Sequence, residues 1–364
     1  MLAVVTAPLG ASAFPELQIA TGAVRCDVCH YAPAGGGLLN GRGRYAAEDE
    51  LSAGGDGSFL HGAVELPGWI DLGGDFRGAA IANDVGQADR PELAVFPMQA
   101  DLRARLAWKT LSANVTAGLR GSTRAQPTPP ASLLVSREHF LQWKHGPLAR
   151  ATAVRAGRFA VPQGLRLPDH TLYIRRFTGQ ALLEEPYALS GSLLRRAWEI
   201  HATAYVHDPV LDVGRPESGV AALGEIHDGP LAVGLSSRLG VSHEADRILT
   251  GAHGRAYVAP ARLALLAEWD FVYEWIEADP EIGRAQLLGY TGADLELVRS
   301  LHLAAWYERF DQHLGAPGTS RDAFGAALRS YPWAHFEVTL HGKVQLVGER
   351  DTARLAMLQL HYYP

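Results

Sequence analysis

From about Pro67 to the end of the chain, apolar and polar residues alternate with a period of two. Met98, Ala100, Leu102, Ala104, Leu106 and Trp108 fall on one parity, and Gln99, Asp101, Arg103, Arg105 and Lys109 on the other. Leu263, Leu265, Ala267, Trp269, Phe271, Tyr273 and Trp275 likewise alternate with Arg262, Glu268, Asp270 and Glu274. A helix does not sort residues by parity; a strand does. A soluble sandwich also alternates, so three further features matter. The alternating runs are about 9–14 residues long, beyond the usual strand length. Aromatic residues gather near their ends, as in an interfacial girdle. The connections alternate between very short and long.

Short connections are expected near Thr110, His145-Gly146-Pro147, Gly191, Asp228-Gly229-Pro230, Pro260, Gly292 and Pro332. Long ones are expected near 84–95, 122–134, 161–180, 208–217, 243–247, 276–283, 311–320 and 348–351. These connections join sixteen strands, with both barrel ends on one side; fourteen strands is the alternative. The expected fold class is therefore all-β: a transmembrane antiparallel β-barrel over residues 67–364, of the even-stranded type found in bacterial outer membranes. One parity then faces lipid and the other a lumen. The lumen set is Asp71, Asp75, Arg77, Asp101, Arg103, Arg105, Arg120, Glu199, His201, Arg238, Glu268, Asp270 and Glu274. Mixed charges of this kind read first as salt-bridged wall residues.

Composition narrows the function. No run of 18 apolar residues exists, which excludes a membrane-spanning helix. A hydrophobic content of 47% excludes a disordered chain. The net charge of −6 argues against a nucleic-acid partner bound through phosphates. No P-loop, G-x-G-x-x-G or G-x-S-x-G motif is present.

Residues 1–13 read MLAVVTAPLGASA, an apolar stretch closing on Ala11-Ser12-Ala13, the small-x-small pattern of a signal-peptidase site. The basic n-region is missing, so the stretch is read as a signal-peptide remnant; a disordered apolar N-terminus is the alternative. Export would place the two cysteines in an oxidising compartment. Both cysteines fall in one motif, Cys26-Asp27-Val28-Cys29-His30, a C-x-x-C-H sequence of the kind that attaches haem c. Two thiols at i and i+3 share one side of a helical turn and can add to the vinyl groups of one porphyrin. His30 then faces the iron. The competing readings are a lone disulfide, half a zinc site, or chance. Zinc wants four ligands, and no second cysteine pair exists.

Residues 14–66 thus form a candidate monohaem segment and linker carrying one covalent haem c, with Cys26, Cys29 and His30 as its attachment and ligand residues. A glycine-rich run, Gly35-Gly36-Gly37, follows the motif and allows close approach to a flat ring. The segment is too short to bury a haem unaided. For the second iron ligand the candidates are His61 in the linker, Met98, and the lumen histidines His201 and His207.

A single C-x-x-C-H near the N-terminus followed by a porin-sized barrel resembles the fused cytochrome–porin proteins of the outer membrane, a family proposed to oxidise extracellular ferrous iron. The residues carrying the resemblance are Phe14-Pro15, Thr21-Gly22, Cys26-Asp27-Val28-Cys29-His30, the tail through Asn40-Gly41, and Gly157-Arg158-Phe159-x-x-Pro162 in the barrel. The resemblance implies a haem held in the lumen. It also implies electron flow between an extracellular donor or acceptor, Fe(II) among them, and periplasmic carriers such as soluble cytochromes, with outer-membrane lipid around the barrel. The alternative function is a diffusion porin with an N-terminal plug.

Overall fold

A computed structural model describes residues 15–20, 22–84, 92–120, 134–169, 171–181, 183–209, 217–243, 245–276, 283–347 and 351–364. The expected leader at 1–13, and the parts of the long connections that fall between these ranges, lie outside the described residues.

Strand β7 (Trp198–Val206) shows how the sequence makes the wall. Glu199, His201, Thr203 and Tyr205 are buried, while Trp198, Ile200, Ala202, Ala204 and Val206 are exposed. Its partners repeat this pattern around a closed antiparallel barrel of sixteen strands. In chain order they are β1 (Ile70–Asp84), β2 (Glu92–Trp108), β3 (Leu111–Arg120), β4 (Leu134–His145), β5 (Arg150–Arg158), β6 (Tyr187–Arg195) and then β7. After it come β8 (Ser218–Asp228), β9 (Leu231–Val241), β10 (Ala245–Val258), β11 (Leu263–Ile276), β12 (Gly283–Val298), β13 (Leu301–Asp311), β14 (Ser320–Trp333), β15 (Phe336–Val347) and β16 (Asp351–Tyr362). The barrel closes by β1 on β16, from Phe76 opposite Tyr362 to Asp84 opposite Arg354. Both strand termini lie at the end where the connections are short.

The outside is apolar and the inside polar, the inverse of a water-soluble barrel. Leu93, Val95, Leu102, Leu235 and Leu360 stand exposed on the exterior. Exposed aromatics flank the short turns: Trp69, Trp108, Trp143, Trp198, Trp333 and Phe336. Of the expected lumen residues, Asp75, Asp101, Glu199, His201, Arg238, Glu268, Asp270 and Glu274 are buried. Asp71, Arg77, Arg103 and Arg105 are half-buried and ion-paired across the wall. The side chain of Arg120 lies outside the described residues.

Three expected turns fall elsewhere. Gly191 lies inside β6, facing outward, and the turn comes at Arg196-Ala197. Gly292 lies inside β12, where a Cβ would meet the Tyr290 hydroxyl oxygen at 2.4 Å and its ring at 2.8 Å; it makes room for an aromatic and does not turn the chain. Pro332 belongs to β14, in the stretch where its register with β15 is irregular, and the turn follows at Ala334-His335. Proline is tolerated in a strand where the ladder is broken.

Two segments fill the barrel. Residues 15–66 enter from the short-turn end. They contain helix α1 (Pro15–Ala20), a 3-10 turn at Cys26–Val28, and helix α2 (Gly41–Ala46), whose N-cap Asn40 accepts from the Arg42 and Gly43 amides at 2.9 and 3.1 Å. The second segment is the connection 159–186, with helix α3 (Tyr173–Arg176), which folds inward from the long-connection end against β11, β12 and β13.

Candidate functional site

The cysteine motif is held by charge. Arg25, 1% exposed, gives its Nε to Asp27 Oδ1 at 2.9 Å and its terminal nitrogens to the carbonyls of Arg195 and Leu148 on the wall. Lys144 of β4 adds a 3.1 Å ion pair to Asp27 Oδ2. Tyr31 donates to Asp71 Oδ1 at 2.7 Å beneath the Arg105 guanidinium, 4.0 Å from the ring centre. Burial, with that bond, pushes the Tyr31 hydroxyl up to about 12. Arg103 reaches the Gly37 carbonyl at 3.2 Å and Gln142 the Tyr31 carbonyl at 3.2 Å.

Within this frame the amides of Cys29 and His30 both donate to the Cys26 carbonyl, at 3.2 and 3.0 Å. That single turn carries both cysteines as free thiols. Burial pushes the Cys29 thiol up to about 12 and raises Cys26 as well, the latter against the pull of Arg166. Both are therefore held as neutral thiols, unlike the lowered thiolates of redox-active or metal-binding pairs. Gly35 has a φ of +78°, and a Cβ there would sit 2.8 Å from Cys26 Cβ. Only glycine lets the chain fold back over the thiol.

Cys26, Cys29 and His30 face a cavity of 300 Å³ lying between the N-terminal segment and the 159–186 connection. Its apolar lining includes Ala34, Leu39, Val161, Leu165 and Pro168, and its polar lining includes Arg77, Arg103, Arg155, Arg166, Glu138 and Glu185. Bulges in the adjoining wall shape it. Between Thr116 and Ala117 of β3 the partner strand carries one extra residue, Arg137, so Arg137 and Glu138 both reach the cavity. Such bulges re-aim side chains next to sites.

The 159–186 connection is held by wall carboxylates and guanidiniums. Glu268 accepts from the Leu165 amide at 2.6 Å and Glu308 from the Tyr173 amide at 2.8 Å. Arg238 and Arg247 grip the carbonyls of Phe177, Thr178 and Gly179 at 3.1–3.4 Å. Arg158 of the Gly157-Arg158-Phe159 motif anchors the root of the connection, on the Glu185 carbonyl at 2.9 Å and Asp208 at 3.2 Å. Beneath it lies an apolar cluster of Leu165, Leu167, Leu172, Tyr173 and Ile174 with Leu249, Leu266, Val272, Leu288 and Phe310 of the wall. Burial raises Glu185, near Arg158, from 4.5 to about 7.

The candidate second ligands are scattered. His61 lies at the short-turn end, stacked on Phe336 and Tyr362 with Nδ1 3.0 Å from the Asp56 carbonyl oxygen, and does not line the cavity. Met98 is the extra residue of a bulge opposite Arg77 and Gly78 and does not line it. His201 is a wall residue bonded to Ser192 Oγ at 2.8 Å, and His207 lies just beyond β7. Among the described residues, His361 is the histidine besides His30 that lines the cavity, and its two nitrogens stand 3.1 and 3.0 Å from the carboxylates of Asp75 and Glu337. Pattern reading missed Arg155, Arg166 and His361. The visible signal was the run of apolar residues at inward parity in β10–β13, Leu249, Leu266, Val272, Leu288 and Phe310, which marks a wall covered by a folded-in connection.

This is the geometry of a porin-type barrel with a filled waist. No protein-family model matches the sequence, and no curated protein matches it. Solved structures match the fold. OprB of Pseudomonas putida superposes with a TM-score of 0.61 at 11% identity, over 81% of this chain and 94% of that one. The anion-selective porin of Comamonas acidovorans gives 0.60 at 12%, over 80% and 99%. The outer membrane channel DcaP of Acinetobacter baumannii gives 0.60 at 11%, over 81% and 97%.

Proposed function

We propose that this chain is an outer-membrane electron-transfer conduit: a porin-type barrel holding one covalent haem c in its waist, attached at Cys26 and Cys29 and ligated by His30. The observation that carries the reading is the placement of two neutral thiols and the following histidine on one cavity, closed by a glycine run on one side and the inward connection on the other. The residues fit the group. The thiols share one turn, Gly35 leaves space beside Cys26, and Val161, Leu165, Leu39 and Pro168 offer apolar surface to a flat ring.

A bound haem supplies a one-electron iron couple. The chain does the rest. The Arg25–Asp27–Lys144 cluster fixes the motif to the wall and so fixes the height of the thiols in the barrel. The charged wall sets the local field, and burial with polarity tunes the potential. The inward connection excludes bulk water from one side. The apolar band of such barrels is about 25 Å, too thick for fast tunnelling between aqueous faces, and a redox group at the waist divides it. The apolar exterior suits outer-membrane lipid. The partners are an extracellular donor or acceptor, Fe(II) among the candidates, and periplasmic carriers such as soluble cytochromes. Nucleic acid is not among them.

A diffusion porin with an N-terminal plug is the second reading, favoured by the fold neighbours, which are porins and channels. Two measurements separate them. The chain matured alongside cytochrome-maturation machinery is expected to keep a haem stain after denaturing electrophoresis and to show little current in planar bilayers. Absence of covalent haem with open-channel conductance overturns the conduit in favour of the porin.

A further inference from the structure

The cavity is lined by the arginines Arg77, Arg103, Arg137, Arg155, Arg166 and Arg175. Four are already committed. Arg77 and Arg103 pair with Asp75 at 2.9 Å each, and Arg137 with Asp101 at 2.7 Å. Arg175 donates to the Leu167 and Gln180 carbonyls within its own connection. Arg166 rests its Nη2 on Cys26 Sγ at 3.4 Å, at the thiol edge of the cavity.

Arg155 is different. It is 3% exposed, and its Nε and Nη2 find no hydrogen-bond partner among the described residues. No carboxylate among the described residues lies within ion-pair distance of it. The charges that act on it are Glu138 and the like-charged Arg166. The ring of Phe159 lies 4.2 Å and that of Phe140 5.6 Å from its guanidinium carbon, so aromatic rings hold its flat face and leave the donor edges open. A buried guanidinium with open donors is costly unless an anion arrives. A planar fork of donors suits a carboxylate.

Position decides which carboxylate. Arg25, next to Cys26, is tied to Leu148 and Arg195 at the short-turn end of β5 and β6. Arg155 lies five residues along β5 from its first residue, Arg150, about 16 Å of strand toward the long-connection end. Arg155 thus stands further toward the long-connection end than the carbonyls that hold Arg25, the residue preceding Cys26, and both Arg155 and the thiols line one cavity. A porphyrin carries its vinyl groups and its propionates on opposite edges. We propose that Arg155 is the anchor for a haem propionate, orienting the ring with its carboxylate edge toward the long connections. This assignment rests on the haem reading above.

The test uses the full chain matured with covalent haem. Arg155→Leu is expected to keep the haem stain and to lower the midpoint potential in a spectroelectrochemical titration, because an uncompensated propionate disfavours the reduced, less positive iron. Arg155→Lys, which keeps the charge and loses the fork, is expected to fall between. Should Arg155→Leu not assemble, Arg155→Gln, which keeps donors without charge, is read in the same way. A wild-type chain without haem overturns both readings. Haem retained with an unchanged potential in Arg155→Leu overturns this one alone. An unchanged potential with reduced anion current in planar bilayers also overturns it, and assigns the guanidinium to small permeating anions.

Discussion

The two segments that fill the lumen are built on opposite principles. The N-terminal segment is fastened by charge and hydrogen bonds: Arg25 and Lys144 on Asp27, Tyr31 on Asp71, and Arg299 on the Ser52 carbonyl at 2.7 Å. Its apolar clusters are small, Ala23, Cys29 and Ala46 in one and Leu17, Leu51 and Tyr331 in the other. The 159–186 connection rests on a broad apolar cluster and uses polar groups to tie down its backbone. The difference follows from what each segment meets. The N-terminal segment meets polar inward side chains, Asp71, Arg103, Gln142 and Lys144 among them, besides its contacts with β10 and β11. The connection meets β10–β14, where both parities carry apolar residues. Directional bonds hold a motif at one height, as the proposed haem site requires. Apolar packing excludes water, as a cover requires.

The strongest test of this contrast is chemical. Cys26→Ala combined with Cys29→Ala is expected to abolish the proposed covalent haem completely while the barrel keeps its heat-modifiable mobility on gels. Loss of the folded band would show that the motif also carries barrel stability. Next comes the polar anchor. Asp27→Ala leaves the buried Arg25 with Glu199, 4.0 Å away, as its remaining carboxylate, and breaking a buried pair costs about 3–5 kcal/mol. The expected outcome is rapid proteolysis of residues 15–66 with the barrel intact; full protection would mean that packing, not charge, holds the segment.

The apolar cover answers to truncation. Leu172 and Ile174 are 3% and 2% exposed. Replacing either by alanine costs about 2–5 kcal/mol and is expected to raise single-channel current as the cover loosens. Unchanged current places the seal elsewhere. The smallest effect is in pH. With Glu185 raised from 4.5 to about 7 by burial, the folded connection binds more protons than the unfolded one within that window. Its stability is therefore full below about pH 4.5, falls as pH rises toward 7, by at most about 1.4 kcal/mol per pH unit, and is level above. Protease protection of the connection should follow that profile in the wild type and flatten in Glu185→Gln. A profile of opposite slope would show that the carboxylate is stabilised in its charged form.

Much of the wall was legible because alternation is a local property. Glu199, Arg238 and Glu268 reveal their inward parity from their neighbours alone, and the alternation of short and long connections counts sixteen strands. Gly191, Gly292 and Pro332 misled because glycine and proline mark turns and also serve inside strands, as room for a ring or a break in a ladder. His61 is a candidate on its place in the linker alone. In the structure its ring is stacked between the short-turn aromatics.

The chain's linear order determined the barrel, its polar lumen and apolar exterior, and the spacing of Cys26, Cys29 and His30 on one turn, since each depends on residues near one another along the backbone. Tertiary structure alone decided that the 159–186 connection folds inward, that Arg166 rests on the Cys26 sulfur, and that Arg155 has no carboxylate beside it among the described residues. Those facts join residues up to 140 positions apart, and no periodicity reaches across a closed barrel to say which walls face the same cavity.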